Sequence, residues 1–221
     1  PAGKLGSMTA VPVDIRLLGD FVLRQAGQVV TGLDTTKLQA LLAYLLLHQD
    51  APQLRHHLAF TFWPDSDERQ ARTNLRNLLH RLRQAWPAAD QFLTIETKSI
   101  GWRADAAFSL DAADFVQTVE QAQTAATAQA ALGHWRQAVA LYRGDLLPGC
   151  YDNWIEPERT RLRQLYRQAL TTAVHLAAET QQYETAVQLS RQLIEADPLH
   201  ETAYQQLMNL YARRGDRAAA L

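Results

Sequence analysis

A run of basic side chains between residues 69 and 83 is the part of this sequence with the most evident chemistry. Several of them recur at helical spacing, and no acidic residue occurs from 70 to 86. Guanidinium groups bind phosphate oxygens and the edges of guanine bases. The basic ridge is defined as Arg69, Arg72, Arg76, His80 and Arg83. It is suited to nucleic acid, although such ridges are also common on solvated surfaces.

Hydroxyl and amide side chains lie among these basic residues. Thr73, Asn74 and Asn77 are ordinary polar surface residues on one interpretation. On the other, they are the donors and acceptors that base edges and phosphates require. Both interpretations stay open at the level of the residues alone.

The sequence carries no arrangement typical of an enzyme. Motifs for phosphate-binding loops, dinucleotide folds, zinc proteases and nucleophile elbows are absent. Carboxylate pairs such as Asp65 and Asp67 have no His or Lys arranged beside them. Adjacent His56 and His57 point to different faces of a helix, so they do not form a metal pair. The sequence predicts a protein that is not an enzyme and that needs no cofactor or metal.

Charge and cysteine content restrict the partners and the compartment. The net charge is −1, with twelve Lys/Arg against ten Asp/Glu in residues 1–110 and ten against thirteen in 111–221. Affinity for phosphate must therefore come from a local patch. A single cysteine, Cys150, excludes an internal disulfide and favours a reducing cytoplasm. No apolar run is long enough for a membrane span and none resembles a signal peptide, so no membrane partner is expected.

The elements that would position the basic ridge can be predicted from the pattern. Apolar residues recur along 70–86 and give a helix with one buried side. Short strands are predicted within 13–30, a leucine-rich helix at 37–48, a short helix at 54–63 and a hairpin after Pro87 with its tip at 98–101. The buried stripe comprises Ala71, Leu75, Leu78, Leu79, Leu82 and Trp86. Strands, three helices and a hairpin is the order of a winged helix-turn-helix, in which the third helix enters the major groove. Trp63, Trp86 and Trp102 are expected in its core.

From residue 111 the sequence is rich in alanine and glutamine and reads as successive helices. The helices are predicted at 112–123, 128–142, 157–179, 183–196 and 201–213, with a break at Gly133. Leu170, Ala173, Val174 and Ala177 recur 34 residues later as Tyr204, Leu207, Met208 and Tyr211, which is the period of a tetratricopeptide repeat. A plain helical bundle is the alternative.

The predicted fold class is mainly α with a small β component. Residues 8–106 are assigned to a winged helix-turn-helix DNA-binding domain and 107–221 to a tetratricopeptide-like helical domain. Residues 1–7, PAGKLGS, look like a cloning remnant ahead of Met8. Leu221 falls inside a predicted helix, so a truncated fragment of a longer protein is expected.

Nine blocks, in order, resemble the SARP-type bacterial transcriptional regulators. They are IRLLGDFVL, TTKLQALLAYLLLH, LAFTFWPD, ARTNLRNLLHRLRQAW, IGWRAD, LDAADF, LYRGDLLPG, WIEPERTRL and EADPLHETAYQQLMNLYARRGD, and together they cover essentially all of 13–221. Proteins of this kind join an OmpR-like winged helix to a bacterial transcriptional activator domain with tetratricopeptide-like helices.

The resemblance implies a sequence-specific regulator, an activator that binds repeats in double-stranded promoter DNA as a homodimer and recruits RNA polymerase with its sigma subunit. It would act at the nucleoid. Together with the residue pattern, it assigns DNA contacts to Arg69, Arg72, Thr73, Asn74, Arg76, Asn77, His80, Arg81 and Arg83 on the third helix and to Lys98 and Ser99 at the wing tip. It assigns the polymerase contact to Trp63, Pro64, Asp65, Ser66, Asp67 and Glu68.

Two departures from the family pattern leave the operator open. Asn77 stands where a hydrophobic residue is common, and His56-His57 replaces a polar and basic pair. A second hypothesis also stays open. It is a protein-interaction scaffold, in which the helical domain binds a partner and the winged helix is a docking module. The near-neutral net charge is compatible with it.

Overall fold

The computed structural model describes residues 12–214. The sequence expectations about residues 1–7 and Leu221 lie outside this range. By internal contacts, the described chain divides into two compact units. The first contains the residues up to Leu110 together with Leu147–Ile155, and the second contains Asp111–Leu146 and the residues from Glu156 onward. The segment Leu147–Ile155 lies within the second predicted domain in sequence, yet its contacts lie in the first unit.

The first unit contains a four-stranded sheet with the strand order β3-β2-β1-β7. Its strands are β1 (Val13–Arg16), β2 (Val22–Gln25), β3 (Gln28–Val29) and β7 (Phe108–Leu110). The first three are antiparallel neighbours and were predicted. Strand β7 pairs in parallel with β1 and was not predicted. Three residues carry too little alternation to reveal a strand whose partner lies almost the whole unit away in sequence.

The helices of the first unit are α1 (Thr36–Leu47), α2 (Arg55–Phe62), α3 (Glu68–Ala85) and α4 (Ala89–Phe92). Helix α1 buries an unbroken run from Ala40 to Leu46, so it is central to the core of the first unit. Thr35 occupies the cap position of α1 with extended backbone, but its side chain makes no capping hydrogen bond. Its hydroxyl is buried and has no hydrogen-bond partner among the described residues. The carbonyl of Thr35 accepts a hydrogen bond from Leu38 N at 2.9 Å instead, and this bond begins the helix.

The predicted hairpin is present as β5 (Leu93–Ile95) and β6 (Ser99–Trp102), and β4 (Gln53–Leu54) adds a third strand against β6. Ile95 pairs with Ile100, so the tip is 96–98 and not the expected 98–101. Lys98 lies in the tip, whereas Ser99 is the first residue of β6 and pairs with Leu54. The border between β6 and the tip differs from the prediction because β4 extends the hydrogen bonding of β6 toward the tip.

An aromatic cluster closes the core behind α3. The Trp86 ring stacks on Phe92 with centroids 5.0 Å apart and lies 6.3 Å from Trp102, which meets Phe108 edge-on at 5.2 Å. Trp86 and Trp102 are buried, as expected from the sequence. Trp63 is only partly buried. The cluster fixes the end of α3 and the base of the hairpin in one core.

The second unit consists of helices within its described residues. They are α5 (Asp111–Thr124), α6 (Ala128–Leu141), α7 (Glu156–Glu179), α8 (Tyr183–Ala196) and α9 (Glu201–Arg214). Their bounds agree with the sequence prediction to within one residue or so. The 34-residue period relates buried residues of α7, such as Leu170 and Ala173, to residues of α9 that include the half-exposed Tyr204 and Met208. The 34-residue period therefore places α9 at the position equivalent to α7, but the equivalent residues of α9 are less buried.

Gly133 does not break a helix, contrary to the sequence prediction. It lies on the exposed side of α6, and a Cβ added there would meet no atom within 4 Å. A single glycine lowers helix propensity by about 1 kcal/mol, which neighbouring alanines and packing overcome. The helix continues because Leu132 and Trp135 on its other side are buried.

We expect Gly133→Ala to raise the free energy of unfolding by about 0.5 to 1 kcal/mol, because alanine restricts the unfolded chain and needs no new space. Urea unfolding followed by circular dichroism measures this. Gly27→Ala is the matched control: space is open there too, but the backbone has φ +77°, so alanine should destabilise. Equal effects of the two substitutions would contradict the explanation.

Asp145 joins the helices α6 and α7 through charge. Its carboxylate accepts hydrogen bonds from Arg163 Nε at 3.0 Å and from the Tyr142 hydroxyl at 2.9 Å. The hydrogen bond from Arg163 is the main cause that lowers the pKa of Asp145, against the opposing effect of burial. Tyr142 stacks on Tyr166 at 4.2 Å, and burial raises the pKa of Tyr142.

The lowered pKa of Asp145 makes its contribution to stability depend on pH. A carboxyl whose native pKa is depressed stabilises the fold above its unfolded pKa of about 3.9 and loses this as the pH falls through the native value. We expect the stability difference between the chain and Asp145→Asn to be full at pH 6 to 7 and to narrow below about pH 4. Urea titrations across this pH range test it. A difference independent of pH would show that the carboxylate charge does not matter.

Candidate nucleic-acid interface

Helix α3 presents the basic ridge because its other side is anchored. Ala71, Leu75, Leu78, Leu79 and Leu82 are buried, as the sequence predicted. The helix is capped by Asp67, whose carboxylate accepts a hydrogen bond from Gln70 N at 2.8 Å. Burial of one side leaves Arg72, Arg76 and Asn77 exposed, whereas Thr73 and Asn74 are half-buried. The apolar spacing alone therefore sets which side chains can reach a partner.

A cleft of about 600 Å³ brings three parts of the first unit together. They are the ridge of α3, the tip of the hairpin and the start of α2. Its walls are formed by Leu54, Arg55, His56, Arg72, Leu75, Arg76, Thr97 and Lys98. Four of these side chains are cationic and none is a carboxylate. The cleft is thus a concave, positively charged surface, which raises the local concentration of anions.

Arg55 belongs to this site and was not predicted. Its backbone N donates to Lys98 O at 2.9 Å, and its Nη1 donates to Glu96 O at 3.2 Å. Burial, followed by the positive charges of Arg76 and Arg83, lowers the pKa of Arg55. A lone arginine before two histidines carries no periodic signal, and only the pairing of β4 with β6 brings it to the tip. The charge crowding around Arg55 would be relieved by a bound anion.

A second recess of about 630 Å³ lies at the start of α3. It is lined by Asp67, Glu68, Arg69, Arg72, Thr73 and Arg76. Arg72 forms an ion pair with Glu68 one turn earlier on the helix. The two acidic side chains make this end of the ridge less positive than the cleft. Arg72 and Arg76 line both hollows and connect them.

Some predicted contact residues are engaged within the protein. The Arg83 guanidinium holds Asp90 through Nε at 3.0 and 3.1 Å. Thr73 donates its hydroxyl to Arg69 O at 2.9 Å, and Asn74 accepts from Gln70 at 2.8 Å. A ligand would have to displace these internal hydrogen bonds to engage the same side chains. Within residues 12–214, Arg76 and Lys98 make no ion pair.

The other predicted residues lie outside the cleft, on α3 and at the start of β6. Asn77, His80 and Arg81 are exposed but do not line the cleft. Ser99, at the start of β6, donates its hydroxyl to Glu96 Oε2 at 3.1 Å. The structure therefore brings together Arg72, Arg76 and Lys98, and adds Arg55 and His56 to them.

The loop from Trp63 to Glu68, predicted to contact polymerase, is short and internally bonded. Ser66 N donates to Trp63 O at 3.2 Å, and Asp67 caps α3. Pro64 and Asp65 are exposed at its surface. The loop is an acidic, solvent-facing connection between α2 and the basic helix.

Comparison with known proteins now identifies the family. The family described as "Bacterial transcriptional activator domain" matches residues 110–221. The chain belongs to the bacterial transcriptional activator domain family. This confirms the resemblance to SARP-type regulators that the sequence blocks indicated.

Two individual proteins are similar to this member of the family. The "Regulatory protein AfsR" of Streptomyces coelicolor is 28% identical over 186 residues, which are 83% of this chain and 18% of AfsR. The structure of Mycobacterium tuberculosis EmbR, solved in complex with a low-affinity phosphopeptide, superimposes with a TM-score of 0.74 over 95% of this chain and 57% of EmbR, at 21% identity. The chain thus spans a small part of AfsR and little more than half of EmbR.

The likeness to EmbR confirms the fold class, a winged helix-turn-helix followed by helices. Among residues 12–214, no group of three or more His, Cys, Asp or Glu side chains is arranged to hold a metal ion. No helix in the same range has both the length and the apolar composition to cross a membrane.

Proposed function

We propose that this member of the family binds double-stranded promoter DNA sequence-specifically and regulates transcription. One observation supports this most strongly. The cleft joins Arg72 and Arg76 of α3 to Lys98 of the hairpin tip and to Arg55, with no carboxylate in its walls. Phosphates need such a concentration of cations, and base edges need an exposed helix beside them.

The geometry fits the docking of a winged helix on a duplex. Helix α3 would enter the major groove with its exposed side, and the hairpin tip would reach the backbone or the adjacent minor groove. The cleft between α3 and the hairpin tip would hold the DNA strand that runs from the major groove to the adjacent minor groove. Arg76 lines the cleft without an ion pair in the described residues, so it is the arginine we assign to a base edge. Lys98, at the tip, is assigned to a phosphate.

The finer parts of the function are also proposals. We assign the acidic loop from Trp63 to Glu68 to a contact with RNA polymerase or its sigma subunit, because the solvent-facing Pro64 and Asp65 leave it accessible beside the DNA-reading helix. Binding as a homodimer on repeated sites and activation of transcription at the nucleoid in the cytoplasm complete the proposal.

The experiment that tests the function is a selection of genomic DNA fragments by the purified chain. Titration of the enriched duplex against an unrelated duplex at two salt concentrations follows. A shared motif bound about a thousandfold more tightly than unrelated DNA would establish a specific regulator. Weak binding that vanishes with salt and ignores sequence would refute it, since phosphate contacts alone behave in this way. A protein partner retained at high salt, without specific DNA binding, would favour the scaffold hypothesis.

A further inference from the structure

The segment Leu147–Ile155, here called the strap, packs within the first unit although it lies between α6 and α7 in sequence. Leu147 N donates to Leu17 O at 2.9 Å at the start of the strap. A short 3-10 helix, Asn153–Ile155, ends it, and Ile155 is fully buried. The strap thus attaches at both ends, and Asp152 and Trp154 near its second end contact residues of α1 and α2.

One ionic cluster ties the strap to the end of α2. Lys37 Nζ, on α1, donates to the two carboxylate oxygens of Asp152 at 2.9 and 3.2 Å and to Phe62 O at 3.0 Å. Phe62 is the last residue of α2, and the carbonyls of a final helical turn lack partners within the helix. Lys37 supplies one partner, and Asp152 balances its charge.

A second aromatic cluster, next to this ionic cluster, also connects the strap to the end of α2. Trp154 meets Tyr44 of α1 edge-on with centroids 5.1 Å apart and lies 6.0 Å from Phe62. Tyr44 also meets Phe62 at 5.8 Å. The strap therefore contributes a carboxylate and an indole to the point where α2 ends, immediately before the loop that leads into α3.

We propose that Asp152 and Trp154 are positioning residues that hold the end of α2 and the following loop, and through the loop the start of the DNA-reading helix. The effect on DNA rests on the proposed function, whereas the effect on the loop does not. The two are therefore measured separately.

Amide hydrogen exchange in the whole chain tests the effect on the loop. The reporters are Trp63 N, bonded to Ala59 O at 3.0 Å, and Ser66 N, bonded to Trp63 O at 3.2 Å. We expect Asp152→Asn and Trp154→Ala to speed exchange at both amides about five- to tenfold more than at the amides of α1, because local opening becomes easier. Trp154→Phe should restore most of the protection, since it keeps an aromatic ring in the cluster.

The control variant is Asp14→Asn, which removes another partly exposed carboxylate of the same unit, paired with Arg16 and Arg24 on the sheet. It should leave Trp63 and Ser66 unchanged relative to α1. The proposal is overturned if the strap variants change exchange only as much as this control does, or if they change all amides of the unit equally.

DNA binding provides the second readout. For a duplex that the unmodified chain selects, Asp152→Asn should weaken binding about threefold or more, and binding to unrelated duplex should change less. Faster exchange at the loop with unchanged specific affinity would overturn the link to the DNA-reading helix. If the unmodified chain selects no duplex, the proposed function fails, and the exchange experiment still decides the role of the strap.

Discussion

Replacing Arg76 by alanine is expected to weaken binding to the selected duplex by about 1 to 3 kcal/mol and to relax discrimination at one base pair. Arg76 lines both hollows of α3 and makes no ion pair within the described residues, so its guanidinium is available to a ligand. A base-reading arginine loses two directed hydrogen bonds when truncated, and no water can replace both in the same geometry. Competition titrations with duplexes that differ at single positions measure the effect.

Two further variants serve as controls for the Arg76→Ala measurement. Arg103→Ala removes an exposed arginine of the same unit that is paired with Asp105 outside the cleft, and it should leave affinity nearly unchanged. Lys98→Ala should weaken all duplexes alike and reduce the slope of affinity against salt by about one phosphate contact. Equal affinities of the Arg76→Ala chain and the unmodified chain would refute the assignment of the cleft. A uniform loss across sequences would make Arg76 a phosphate contact.

Replacing Trp86 by alanine is expected to destabilise the chain by about 3 to 5 kcal/mol. The side chain is 1% exposed and stacks with Phe92, and its Nε1 donates to Gln25 Oε1 at 3.0 Å. Truncation leaves a cavity between the end of α3, the hairpin and the sheet, and an amide oxygen without its donor. Because this is a large fraction of the stability of a small domain, the first unit should unfold at a markedly lower denaturant concentration.

Chemical unfolding followed by the amide exchange of α1 and α8 separates the two units in the Trp86 experiment. Protection should fall in α1, whereas α8, in the other unit, reports any general effect. Trp86→Phe is the matched variant, because it keeps an aromatic ring against Phe92 but cannot donate to Gln25. It should cost clearly less than alanine. Similar losses for both variants would show that the hydrogen bond, not the ring, supplies the stability.

The elements could be predicted from sequence wherever one side of a helix is apolar over several turns. The stripe from Ala71 to Leu82 predicted α3 and its exposed arginines. The helices after residue 110 were predicted for the same reason. Short strands with distant partners were not: β4 and β7 have two and three residues, and each exists only because another strand offers its hydrogen-bonding edge.

The site was predicted in part for a related reason. Its helix residues share one periodic segment, and Lys98 stands at a turn signal, so the sequence indicates both. Arg55 was missed because its place depends on the pairing of β4 with β6, a contact between segments more than forty residues apart. The ion pair of Arg83 with Asp90 was missed as well, because it depends on how the chain folds back through α4.

The sequence by itself determined the winged-helix order, the helical second half, the basic side of α3 and the regulator family, because these depend on local periodicity and on ordered sequence blocks. The tertiary structure alone decided which cations share a cleft, which arginine is engaged by a carboxylate, and that Leu147–Ile155 completes the first unit. The physical reason is range. A helix is fixed by neighbours three and four residues apart, whereas the contact of Lys37 with Asp152 spans 115 residues. Only the packed core brings such a pair together.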